Sequence, residues 1–145
     1  MFIKQLSVFI ENREGRLEQV TEVLKQENIN IVSLSLADTS EYGVLRMIVS
    51  DPEKGKAILK ENGFSAMLTD VIAVRLPHEV GMLQKLLQAL TSVGINIEYM
   101  YALATGKENA AMIVKASDGE AAIKILTQDS GMKLYSPEEA YTVND

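Results

Sequence analysis

The 145-residue sequence has no cysteine and a single histidine. The absence of cysteine excludes disulfide bonds, thiolate catalysis and cysteine-ligated metal sites. A lone histidine without clustered carboxylates is poor material for a metal site or a catalytic triad. No apolar run approaches the roughly 20 residues of a membrane span, and the N-terminal segment lacks the cleavage site of a signal peptide. We therefore expect a cytoplasmic protein with no metal, no cofactor and no membrane contact.

Basic residues are in the minority, since 14 Lys and Arg face 20 Asp and Glu, and the formal net charge is −6. Nucleic acid binding needs a basic face, so this charge balance excludes nucleic acid as a partner. No phosphate-binding loop occurs, and no nucleophile–base pair or pair of catalytic carboxylates stands out. We expect a protein that is not an enzyme.

What the sequence does contain is an internal duplication, which repeat analysis must establish first. Gly15 and Gly81 stand 66 residues apart, and an Ile-Asn-Ile tripeptide recurs at the same spacing. A Met-Ile-Val tripeptide recurs after a one-residue slip. Identical residues in the same order indicate two tandem modules, 1–70 and 71–145. The aligned tripeptides are Ile29-Asn30-Ile31 with Ile95-Asn96-Ile97, and Met47-Ile48-Val49 with Met112-Ile113-Val114.

Each copy shows the order β-α-β-β-α-β, because segments alternating with a period of two flank segments with a helical apolar stripe. Two right-handed crossovers fold this order into an α+β, ferredoxin-like module with strand order 4-1-3-2. We expect the modules side by side, forming an extended antiparallel sheet with the helices on one face. The predicted strands are 4–10, 29–36, 44–49, 64–69, 71–76, 95–103, 109–115 and 132–135, and the predicted helices are 16–28, 52–62, 82–93 and 118–128.

The second strand of each module, 29–36 or 95–103, lies at a sheet edge in this strand order. Neither strand carries the proline or lysine that commonly blunts an exposed edge. We expect these edges to pair with another edge, within the chain or between chains. A half-apolar sheet face without helices would exceed the few hundred Å² that a monomer usually exposes, so we also expect a homodimer.

At the start of each copy the segments NREGRLEQVTEVLKQENINI and PHEVGMLQKLLQALTSVGINI resemble the opening of ACT domains. These are small βαββαβ modules that commonly bind amino acids and regulate metabolism. Both copies have the Gly-x-Leu and Ile-Asn-Ile of the pattern. The usual opening Asp-x-Pro-Gly is altered, with Asn12 or His78 at the Asp position and Glu14 or Val80 at the Pro position. The resemblance covers nearly the whole chain.

The resemblance implies a regulatory sensor that binds a free amino acid at the junction of the two modules and acts on a partner metabolic enzyme. The altered opening motif leaves an alternative, a ligand-free regulatory or structural subunit that works through sheet-edge pairing and dimerisation.

The turn that precedes the first helix of each module is the first candidate for the ligand site. Gly15 and Gly81 permit close approach of a ligand to the backbone, and free N–H groups at a helix start attract a carboxylate. The alternative is that each glycine only supplies a left-handed turn.

Asn30 and Asn96, at the start of the edge strands, form the second candidate group. Their amides could bind a carboxylate and an ammonium together, or could make a local turn that stops the helix. Glu98 could receive an ammonium, whereas its counterpart Val32 cannot, so we expect the second site to be the tighter one. The candidate ligand-binding residues are Asn12, Glu14, Gly15, Arg16, Leu17, Asn30 and Ile31 in the first copy, and His78, Glu79, Val80, Gly81, Met82, Leu83, Asn96, Ile97 and Glu98 in the second.

Overall fold

A computed structural model of the chain describes residues 1–38, 41–77, 79–103 and 109–142. The expected order of strands and helices is confirmed, although the strands predicted on either side of Asp70 form a single strand, β4, and a short further helix, α5, follows β7. A π-helical turn, Ile125–Asp129, follows α4 directly. The elements are β1 Ile3–Glu11, α1 Arg16–Gln26, β2 Ile31–Asp38, β3 Tyr42–Val49, α2 Pro52–Glu61, β4 Ser65–Pro77, α3 Met82–Thr91, β5 Ile97–Leu103, β6 Asn109–Ala116, α4 Gly119–Lys124, β7 Lys133–Leu134 and α5 Pro137–Tyr141.

The chain divides into two compact units, which we call the first and second modules. The first comprises Lys4–Thr69, and the second takes Met1–Ile3 together with the chain from Asp70 onward. The strand order is β4-β1-β3-β2 in the first module and β7-β4-β6-β5 in the second. Both orders are the 4-1-3-2 order of a ferredoxin-like module, which confirms the predicted fold. The side-by-side arrangement of the modules stays a prediction.

Each module has its own apolar core between one sheet face and its helices. Alternate residues of a strand point to the same face, and helix residues at positions i and i+4 join them. Each fully buried leucine or isoleucine contributes about 1.5–3 kcal/mol. The first core includes Leu6, Val8, Leu24, Leu45, Met47 and Leu59, and the second includes Ile72, Val74, Leu86, Leu90, Val114 and Leu126.

The ladder registers correct the alignment of the third strands. Leu6 pairs with Met47 in the first module, and its counterpart Ile72 pairs with Val114 in the second. Met47 therefore corresponds to Val114, and the alignment of Met47 with Met112 is wrong by two residues. A shift of two keeps every side chain on its face of the sheet, so the hydrophobic pattern alone does not reveal the error.

The sheet face that alternates with the core positions is also buried at several residues, contrary to the bare face expected above. Gln5, Ser7 and Ile48 are at most 6% exposed in the first module. In the second module, Ala73 and Ile113 are fully buried. The expectation of a bare apolar face is wrong at these positions, and the homodimer that it motivated stays a prediction.

Both edge strands contain a β-bulge at the same place. The register of β2 on β3 shifts between Ile31 and Ser33, and that of β5 on β6 shifts between Ile97 and Tyr99. In the ladders given by the described residues, β2 pairs only with β3 and β5 only with β6. The two modules therefore share a β-bulge that no residue motif predicts.

Candidate functional site

The first helix of each module begins at a glycine in the left-handed region. Gly15 has φ 85° and Gly81 has φ 88°, and neither helix start has a side-chain cap. The helices α2 and α4 are different, because the carboxylates of Asp51 and Asp118 accept hydrogen bonds from N–H groups of the first turn. Only glycine adopts these φ values without strain, so each glycine supplies a left-handed turn, and ligand binding at these turns stays a prediction.

The two turns are built with the same backbone hydrogen bonds although their side chains differ. In each turn, the N–H of the second residue after the strand donates to the carbonyl of the last strand residue. The glycine carbonyl accepts from the N–H four residues later, which closes the first helical turn. The bonds are Arg13 N–H to Glu11 O at 2.8 Å and Gln19 N–H to Gly15 O at 3.1 Å, with Glu79 N–H to Pro77 O at 2.8 Å and Lys85 N–H to Gly81 O at 3.0 Å.

Two backbone N–H groups per turn have no hydrogen-bond partner among the described residues: those of Leu17 and Glu18 in the first module, and of Leu83 and Gln84 in the second. Such groups, together with the positive end of the helix dipole, attract an anion. A Cβ placed on either turn glycine would meet nothing within 4 Å. Each turn therefore has two unpaired donors, and the space beside its glycine is open.

The side chains of the first turn are mostly polar, and Arg16 among them already has interaction partners. Asn12 and Glu14 are exposed. The Arg16 guanidinium lies 4.5 Å from the ring centroid of Phe64 and donates to Gln19 Oε1 at 2.7 Å. The stacking and the hydrogen bond hold Arg16 against its own module.

The second turn is apolar instead. Val80 is fully exposed, and Leu83 is 47% exposed. They border an open cleft of about 450 Å³ that can receive an apolar side chain. His78 lies outside the described residues. The cleft is lined by Leu76, Pro77, Glu79, Val80, Met82, Leu83, Ala110 and Met112.

Asn30 and Asn96 are held by the same backbone brace in both modules. Asn30 N–H donates to Ser50 Oγ at 2.9 Å, and Ser50 N–H returns a bond to the Asn30 carbonyl at 2.9 Å. Asn96 and Ser117 form the equivalent pair at 3.0 and 2.8 Å. Sequence reasoning missed both serines, although each stands directly before a helix-capping aspartate, at Ser50-Asp51 and Ser117-Asp118.

The side-chain amides of Asn30 and Asn96 do not stop the preceding helices. The left-handed residues that end α1 and α3 are Asn28, with φ 57°, and Gly94, with φ 75°. Both amides belong to exposed residues and have no hydrogen-bond partner in the described part of the chain, so they remain free to bind a ligand. A shallow cleft of about 370 Å³ surrounds Asn30, lined by Thr21, Lys25, Asn28, Ile29, Asn30 and Ile31.

Glu98 already has a cationic partner. Its Oε2 lies 3.5 Å from Lys115 Nζ, and the two side chains are 47% and 29% exposed. At the corresponding positions the first module has Val32, which is buried, and Ile48. A half-exposed ion pair contributes at most about 1 kcal/mol, so a ligand ammonium would compete with Lys115 for this carboxylate. The expected advantage of the second site is correspondingly smaller.

The candidate residues of one module fall into two separate groups. The glycine turn lies at the start of α1 and Asn30 just after its end, and 11 helical residues span about 16 Å. One amino acid cannot contact both groups of the same module. A ligand touching a turn and an asparagine would take them from two modules, and this placement stays a prediction.

Within the described ranges, no group of three or more His, Asp or Glu could hold a metal ion. No helix of that part of the chain is both long and apolar enough to cross a membrane.

Comparison with known proteins agrees with this fold. The family model described as an ACT domain pair matches residues 1–135. The crystal structure of protein BT0572 from Bacteroides thetaiotaomicron is 40% identical, with 98% of this chain and 97% of that chain covered and a TM-score of 0.91. The regulatory subunit of aspartate kinase from Thermus thermophilus, in ligand-free form, is 23% identical, with 86% and 91% covered and a TM-score of 0.62. The Thermus flavus subunit is likewise 23% identical, with 86% and 90% covered and a TM-score of 0.60. A search of curated proteins gives no match.

Proposed function

We propose that this chain, which belongs to the ACT domain pair family, is a regulatory protein. It binds a free amino acid and passes that signal to a metabolic enzyme. The same fold forms the regulatory subunit of aspartate kinase in Thermus. That analogy of fold supports an enzyme of amino-acid metabolism as the kind of partner.

The observation that carries the proposal is the duplicated turn with two unpartnered N–H groups. An α-carboxylate has two oxygens, which can accept one bond each from Leu83 and Gln84, or from Leu17 and Glu18. Hydrogen bonds to a charged group contribute about 1.5–3 kcal/mol each. The dipole of α3 or α1 adds about 0.3–1 kcal/mol for a negative charge at its start.

The second turn is the better site for an amino acid with an apolar side chain. Val80 and Met82 stand where the first module has Glu14 and Arg16. With the carboxylate on the helix start, the apolar cleft beside it accepts the side chain. Each buried CH₂ of such a ligand contributes about 0.8 kcal/mol, and the charged first turn offers no comparable surface.

The test uses the exposed Val80, where a substitution leaves the core untouched. Val80→Glu copies the first module's residue and places a negative charge beside the two N–H donors, while Val80→Gln adds the same bulk without charge. Two like charges about 6 Å apart repel by roughly 3 kcal/mol at an effective dielectric of 20, and solvent screening reduces this. We expect calorimetry to show that Val80→Glu binds leucine or methionine about fivefold to tenfold more weakly, and Val80→Gln within about twofold.

Wild-type protein should also be stabilised by about 2.7 kcal/mol at a ligand concentration of 100 times its Kd. Equal affinity of Val80→Glu and Val80→Gln for the ligand would show that its carboxylate does not bind at this turn. If no amino acid binds at millimolar concentration, the sensor proposal fails as a whole.

A ligand-free subunit that works through its sheet edge is the second candidate function, and β2 favours it. Leu34 is 50% exposed and Leu36 is 45% exposed on a strand whose described ladder is one-sided. Such a strand can pair with a strand of another chain. Sedimentation of wild type and of a Leu34→Lys/Leu36→Lys variant tests this: the edge role requires association in wild type that the variant loses.

A further inference from the structure

A second cavity of the second module adjoins the apolar cleft at Pro77 and Met82 and is lined by positively charged side chains. Its volume is about 330 Å³. Three of its lining residues are cations and none is acidic, although the chain as a whole has a net charge of −6. It is lined by Arg75, Pro77, Met82, Lys85, Ser130, Gly131, Met132 and Lys133.

Two of these cations oppose each other in the sheet. Arg75 on β4 and Lys133 on β7 are direct cross-strand partners, an arrangement in which like charges destabilise a sheet. One carboxylate, that of Glu139, lies 3.1 Å from Arg75 Nη2. Lys85 and Lys133 have no ion pair in the described part of the chain. About two positive charges of the cavity are therefore left without compensation.

Arg75 is held rigidly at the cavity wall. Its guanidinium lies 4.4 Å from the ring centroid of Tyr135, and its ion pair with Glu139 fixes the other side. A planar guanidinium positioned in this way loses little further freedom when an anion binds. The two lysines add flexible point charges at the same opening.

The helix that borders the cavity adds to the imbalance. The helices α1, α2, α4 and α5 each have a glutamate in the first turn, whereas α3 has no acidic residue there. Lys85 follows directly, where a cation is unfavourable near the positive end of the helix dipole.

The corresponding cleft of the first module has the opposite charge. It occupies about 500 Å³ and shares the positions of Met82 and Lys85, which are Arg16 and Gln19 there. Its lining contains one cation, Arg16, with two acids, Glu18 and Glu22. After duplication the two clefts have therefore diverged in charge, and a common structural need does not explain the cations of the second.

We propose that the cationic cavity of the second module binds a phosphorylated small molecule with at least two negative charges. Phosphate oxygens accept hydrogen bonds from the two lysine ammonium groups and from the outward edge of the Arg75 guanidinium. Binding relieves the repulsion between Arg75 and Lys133. The cavity adjoins the apolar cleft at Pro77 and Met82, but all three cations belong to the cavity alone. The protein can therefore respond to a second effector beside an amino acid.

The test titrates full-length protein with inorganic pyrophosphate by calorimetry. We expect binding that weakens as salt is raised, because the contacts are charged and partly exposed. Lys85→Gln/Lys133→Gln removes both lysine charges and should raise the Kd about tenfold or more for each lysine removed. Lys85→Arg/Lys133→Arg retains the charge and should bind within about threefold of wild type.

The matched control removes two exposed lysines that do not line the cavity, in Lys60→Gln/Lys124→Gln, and should leave the affinity nearly unchanged. An equal loss of affinity in the control would show that binding depends only on the net charge of the protein, and it would refute the proposed site. Absence of wild-type binding at millimolar pyrophosphate would also overturn it. Citrate binding as tightly as pyrophosphate would overturn the assignment to phosphate. None of these outcomes depends on whether an amino acid binds.

Discussion

Replacing Gly55 by alanine should destabilise the first module, although alanine is the better helix former. Gly55 is buried on α2 against the sheet. An added Cβ would lie 3.0 Å from Leu6 Cδ2, 3.6 Å from Leu24 Cδ2 and 3.8 Å from Val49 Cγ2. Alanine gains about 1 kcal/mol of helix propensity over glycine. Overpacking a core typically costs about 1–3 kcal/mol, so the net loss should be about 1 kcal/mol.

The second module shows how the same position accepts a methyl group. Ala122 stands at the position of Gly55 and is fully buried. There the counterparts of Leu6 and Val49 are Ile72 and Ala116, so the neighbouring strands carry less or differently shaped bulk. The second core thus has a methyl group on the helix, whereas the first core has no side chain there and fills the space with side chains of the sheet.

A double-mutant cycle tests this reasoning. In a Leu6→Ile background, which copies the second module, Gly55→Ala should be neutral or stabilising by up to about 1 kcal/mol. The converse change, Ala122→Gly, should cost about 2 kcal/mol, because it loses helix propensity and a buried methyl. The measurement is the urea midpoint by circular dichroism, with an unchanged slope. A higher midpoint for Gly55→Ala in wild type, or the same effect in both backgrounds, would refute the steric argument.

Three further changes have definite expected outcomes. Gly81→Ala forces an L-residue to φ 88° and should cost about 1–2 kcal/mol of stability in urea unfolding, with Gly81→Asn costing less. Asp118→Ala removes the cap that accepts from Ala121 N–H at 3.1 Å and should cost about 1 kcal/mol, whereas Asp118→Ser should restore most of it. The pKa of Glu139 is lowered from 4.5, chiefly because Ser136 N–H donates to its carboxylate. That contribution is present above the unfolded pKa and is lost as pH falls through the lower folded pKa, so wild type should lose more stability than Glu139→Gln on acidification below about pH 4.5.

The fold could be predicted from the sequence because the two copies confirm each other. Helix caps at Asp51 and Asp118, and turn glycines at Gly15 and Gly81, mark the same boundaries in both. The single strand β4 was missed because Asp70 has low strand propensity and interrupts an apolar pattern. In the structure the strand continues through it.

The candidate sites were less predictable, since they depend on residues that tertiary structure brings together. The Glu98–Lys115 pair depends on a cross-strand register displaced by a bulge, which no sequence window shows. Arg75, Lys85 and Lys133 come from three different elements, so their common cavity has no local signature. By contrast, the open turns follow from glycine alone, because a glycine at the N-cap has no side-chain oxygen to accept from the first N–H groups of the helix.

The bulges in β2 and β5 have a consequence for the solution behaviour of the protein. An edge strand without proline or lysine is a template on which any extended chain can add, and such addition leads to aggregates. A bulge bends the strand, increases its twist and leaves one backbone unit out of the regular ladder, so a straight incoming strand loses register there. Each bulge therefore restricts which strands can pair with this edge. Only a partner strand with a matching bend can extend the sheet along its whole length.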